Sequence, residues 1–80
     1  MQLKIGDTVT WESAAGHLTG RIADIYLGLN SENKTIPWLV IKYKRAHFSG
    51  SGLKERNSCC RLAGTELNLK MMNIKKVENA

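Results

Sequence analysis

From Asp7 to Ser13 the chain alternates strictly: Val9 and Trp11 share one face, while Thr8, Thr10 and Glu12 share the other. A period of two is the mark of a half-buried β-strand, because successive side chains point to opposite sides of a sheet. Threonine, valine and tryptophan all suit such a strand. Ala14-Ala15-Gly16 makes a short connection, with Gly16 free to take a positive φ. A second strand is expected from about His17 to Leu27. Leu18, Gly20 and Ile22 lie in phase, whereas Ile25 and Leu27 fall in the opposite phase. That change predicts a β-bulge or sharp bend around Ala23-Asp24. Gly20, without a side chain, is expected to let a neighbouring strand pass closely.

After the polar loop from Gly28 to Thr35 comes the most apolar stretch, Ile36-Pro37-Trp38-Leu39-Val40-Ile41-Lys42-Tyr43-Lys44. Leu39, Ile41 and Tyr43 share one face, and Trp38 and Val40 the other. Pro37 suits the entrance of a strand, since it has no N–H for a ladder. Residues 46–58, rich in glycine and serine, follow neither period and read as a flexible loop. A fourth strand is expected from near Cys59 through Leu62. Leu67 and Leu69 read as another extended piece, followed by a helical turn at Met71-Met72-Asn73 and a last strand from Ile74 to Val77. A helix from Thr65 to Val77 competes with that reading, because Leu67, Met71 and Ile74 also share helical spacing. The pattern is all-β with short strands, in one domain spanning residues 1–80.

Eighty residues form a domain near the lower limit for folding without staples. Disulfide chemistry offers none: Cys59 and Cys60 are adjacent, and neighbours in an extended strand point apart. One buried and one exposed cysteine is the expectation. No Cys-x-x-Cys pair exists, and His17 and His47 stand apart from one another, so no metal is expected. No apolar run reaches the roughly 20 residues that a bilayer-spanning helix needs, and no signal-peptide core opens the chain, so a cytoplasmic location is the expectation.

The opening Ile5-Gly6-Asp7-Thr8-Val9-Thr10-Trp11, with Gly16, Gly20, Ile22 and Ile25 behind it, resembles the start of SH3-like barrels. It is most similar to the small hypervirulence-associated Tudor-like domains, and KOW modules of ribosomal and transcription proteins share part of the pattern. The resemblance implies a five-stranded, strongly bent SH3-like (Tudor-like) barrel. In it, Gly6-Asp7 would form the turn entering the first strand, and Val9, Ile22 and Ile25 would line the interior.

Charge is the one unbalanced feature. Lys42, Lys44, Arg45, Lys54, Arg56 and Arg61 face only Glu55, whereas six basic and six acidic residues balance elsewhere. The whole formal excess of +5 therefore belongs to this segment. Clustered cations attract polyanions by releasing condensed counterions. Tyr43 and Phe48 are candidate stacking surfaces for bases. The segment reads as a nucleic-acid-binding site gripping phosphates with little sequence preference. The plain competing reading is a solvated, solubilising face that guards a strand edge.

A protein- or peptide-interaction module of Tudor type is the alternative, using an exposed Trp38 or a free strand edge. Trp11, in phase with Val9, is expected in the core. Catalysis finds no constellation: each histidine sits in or beside an expected loop with no carboxylate near it in sequence, and no phosphate-binding glycine motif occurs. A binding module without cofactor, rather than an enzyme, is the expectation.

Overall fold

The computed structural model describes residues 3–14, 16–50 and 52–78, and the side chains of all of these except 47–49. Its elements are β1 (Thr8–Ser13), β2 (Gly16–Leu29), β3 (Thr35–Ser49), β4 (Gly52–Ala63), α1 (Glu66–Met71) and β5 (Lys75–Lys76). The strands form one antiparallel sheet in the order β4-β3-β2-β1-β5. Four strands run as a meander, α1 follows, and β5 returns to lie against β1 through Val9↔Lys76 and Thr10↔Lys75. Strands β4 and β5 are the two edges, and among the described residues no pairing joins them. The protein is all-β, and its sheet is open.

The core lies on one face of that sheet. Val9, Trp11, Ile22, Leu39 and Ile41 are fully buried, closed over by Leu62 and Ile74. The alternation in β1 thus delivers both of its apolar residues to the interior. In β2 the phase change is a bulge: the register passes from Ile22↔Ile41 to Asp24↔Val40, which leaves Ala23 as the extra residue. Ile25 then pairs with Leu39, so residues of opposite phase both face the core.

Gly20 sits where β3 passes closest. A Cβ there would lie 2.7 Å from Ile41 Cγ2, 2.8 Å from the Lys42 carbonyl oxygen and 2.9 Å from Tyr43 Cβ. Backbone cannot swing aside as a side-chain end can. Gly20→Ala is therefore expected to cost about 1–3 kcal/mol through overpacking, lowering Tm by roughly 4–8 °C for each kcal/mol. A thermal melt checks this; an unchanged Tm would mean that β3 does not press on β2 here.

The Gly6-Asp7 turn is tied down at both ends. Gly6 takes φ +97°. Its N–H donates to the Ile22 carbonyl at 2.8 Å, and the Ile22 N–H donates to the Asp7 carbonyl at 2.9 Å. The buried Asp7 carboxylate accepts from the Lys4 N–H at 3.0 Å and lies 3.7 Å from Lys76 Nζ on β5. One side chain thereby links the entering turn to the last strand.

Two expectations are corrected. Leu67 and Leu69 are not extended: they belong to α1, which is shorter than a helix from Thr65 to Val77 would be. Thr65 caps its start, with the hydroxyl accepting from the Asn68 N–H at 3.3 Å. Asn73, at φ +53°, ends it. The Ile74 N–H donates to the Leu69 carbonyl at 2.8 Å and the Asn73 N–H to that of Lys70 at 3.2 Å. These two bonds form a Schellman motif, and its apolar partners Leu69 and Ile74 pack on the core.

Residues 46–58, read as an irregular loop, are paired strand up to Ser49↔Gly52. Strand β2 accompanies β3 only as far as Gly20↔Tyr43. Beyond that point, among the described residues, 44–49 and 52–57 have only each other as strand partners. This two-stranded arm is roughly 20 Å long at ~3.3 Å per residue. It explains a radius of gyration of 13.9 Å, against about 12 Å for a compact chain of this length.

Candidate nucleic-acid interface

The arm carries most of the unbalanced charge, and its register decides where each cation points. Residues paired directly across an antiparallel ladder share a face. The core-side row runs Leu39↔Leu62, Ile41↔Cys60, Tyr43↔Ser58, Arg45↔Arg56 and His47↔Lys54. The opposite row runs Trp38↔Ala63, Val40↔Arg61, Lys42↔Cys59, Lys44↔Asn57 and Ala46↔Glu55. The six basic residues, gathered in one segment of the sequence, are thus divided: Arg45, Arg56 and Lys54 on one face, Lys42, Lys44 and Arg61 on the other.

All six are exposed. Glu55 makes the one acidic contact with them among the described residues, 3.9 Å from Lys44 Nζ with both groups in solvent, a geometry worth little in water. Arg45 stands directly opposite Arg56, and like charges so placed oppose the ladder. A depression lined by Lys42, Tyr43, Lys44, Asn57, Ser58 and Cys59 marks the base of the arm.

Arg61 plays a different part from the other five. Its Nη1 donates to the Tyr26 hydroxyl at 2.9 Å, and its guanidinium lies 5.9 Å from the centre of the Trp38 ring. Tyr26 and Trp38 are themselves cross-strand partners. The half-buried Trp38 therefore already carries a cation on its face, supplied by its own chain. Tyr43 is also engaged: it meets Trp11 edge to face, 5.5 Å between centroids at 87°. Neither ring is a free platform. The Phe48 and His47 side chains lie outside the described residues.

Compared with family models, curated proteins and solved structures, the chain matches none.

Other candidate chemistry is sparse. Across the β1–β2 hairpin His17 Nδ1 lies 2.8 Å from Glu12 Oε1, both exposed. Sequence distance concealed that carboxylate, which the register Glu12↔His17 brings opposite. Cys59 is exposed and Cys60 half-buried, both as free thiols. Burial, and then the neighbouring Cys59, pushes the Cys60 thiol up from its ordinary range. Among the described residues no three His, Cys, Asp or Glu side chains gather as a metal site, and no helix is long and apolar enough to cross a membrane.

Proposed function

We propose that this domain is an SH3-like, Tudor-like barrel variant that binds nucleic-acid phosphates through its basic arm. The meander order, the bulge after Ile22 and the helical turn before β5 support the barrel reading. One observation carries the functional reading: Arg45 faces Arg56 on a ribbon that stands clear of the sheet, with Lys54 exposed on the same face and Lys44 and Lys42 exposed on the opposite one. Like charges on directly opposed residues oppose the ladder, and an anion bound between their side chains removes that penalty. A solubilising face has no need to oppose its cations in register. Contacts of this kind go to phosphates and carry little sequence information.

A strand-edge site for a peptide is the second reading. It rests on β4, an edge strand of the sheet, which offers unpaired backbone groups for strand addition. Amide chemical shifts followed during titration with a short DNA duplex separate the two. The proposal expects the largest changes between Lys42 and Cys59, with the amides of β1 and the Trp38 indole unmoved. Changes centred on Trp38 and Tyr26, or none at low salt, would contradict it.

A further inference from the structure

Resting on the phosphate-binding reading, we infer that the arm's ligand is duplex DNA and that the arm enters the major groove on edge, with each face toward one phosphate wall. Parity along the two strands decides which faces carry charge. Had the cations fallen on every second residue, one face would be basic and the arm would lie flat on a polyanion. They fall instead on both: Arg45, Arg56 and Lys54 on the core side of the arm, and Lys44 on the other beside Glu55, with Lys42 on that same side at the arm's base, where it pairs with Arg21 of β2. A flat pose leaves one of these sets in solvent. A pose between two phosphate rows uses both.

The dimensions agree. Two strands lie about 4.8 Å apart, and a pleated layer with its side chains is roughly 10 Å thick. The major groove of B-form DNA is about 12 Å wide and 8.5 Å deep, and it admits a two-stranded ribbon. The A-form RNA major groove is too narrow for side chains to enter. Single strands are held by successive aromatic rings on which bases stack. The arm's sequence from Lys44 to Asn57 has one aromatic residue, Phe48. Of the rings at its base, Tyr43 packs on Trp11 and Trp38 is covered by Arg61.

Fluorescence anisotropy tests the inference with three probes of one sequence: duplex DNA, single-stranded DNA and duplex RNA. Two face variants accompany the parent, Arg45→Gln with Arg56→Gln, and Lys42→Gln with Lys44→Gln. All four positions are exposed, and circular dichroism verifies each fold. Duplex DNA is expected to bind at least about tenfold more tightly than either other probe, since only its groove fits the ribbon. Each variant should lose about two counterions' worth of salt dependence, a slope change near 1.8. Equal or tighter binding of the single strand would overturn groove entry and leave phosphate binding standing. So would a loss confined to one variant, the mark of a flat pose. No binding of any probe would overturn both readings.

Discussion

Trp11→Ala is expected to leave the domain largely unfolded at 37 °C. The indole is 1% exposed at the centre of the core face, flanked by Val9 and Ile22 and met edge-on by Tyr43. Removing a buried aromatic side chain costs about 3–5 kcal/mol, because contacts are lost and the cavity closes only partly. A chain of this length has about 4–12 kcal/mol of stability in all. The low end applies here, since an open sheet with a free arm buries few side chains. Thermal unfolding followed by circular dichroism measures the effect, with Trp11→Phe as a milder comparison that keeps a ring. A fall in Tm of only a few degrees would mean that Trp11 is not the keystone of the core.

The second large effect is on binding, and it should come without a loss of stability. Replacing Lys44, Arg45, Lys54 and Arg56 with glutamine removes four exposed cations and touches no core residue. If the affinities of the two proteins converge near 1 M salt, losing four counterions weakens duplex binding about a thousandfold or more at 0.1 M. Tm should hold or rise slightly, because the Arg45↔Arg56 opposition disappears. A fall in Tm together with affinity would point to a structural role for these side chains. Unchanged affinity would return them to the part of a solubilising face.

How far these features were legible in the sequence depends on whether a residue has something to bury. Strand β1, the bulge after Ile22, the close approach at Gly20 and the core placement of Leu39 and Ile41 all leave a trace in apolar periodicity. That is because one side of each strand meets the interior. The arm leaves no such trace. Residues 44–46 and 52–57 meet water on both faces, so the segment alternates nothing, and its glycines and serines imitate a loop. What holds residues 44–49 and 52–57 extended is the ladder itself, which sequence period does not report. Helix α1 was legible only as part of the competing reading, a helix from Thr65 to Val77, and for a different reason. It is under two turns long, and its signals lie at its ends: Thr65 before it and Asn73 after it.

The candidate site shows the same division. The basic residues were evident from composition, whereas their separation onto two faces came only with the register. Arg61 looked like one cation among six. Its partners Tyr26 and Trp38 lie far away in the chain, and only the pairing of β2, β3 and β4 gathers them.

The central claim is that the arm grips phosphates, and its most direct test is the slope of log binding constant against log salt concentration. Parent and four-glutamine variant are compared on the same DNA duplex. With Lys42, Lys44, Arg45, Lys54 and Arg56 each neutralising one phosphate, the parent slope should be about −4.5, and about −1 with Lys42 alone. Equal slopes for the two proteins, or a flat parent, would contradict it.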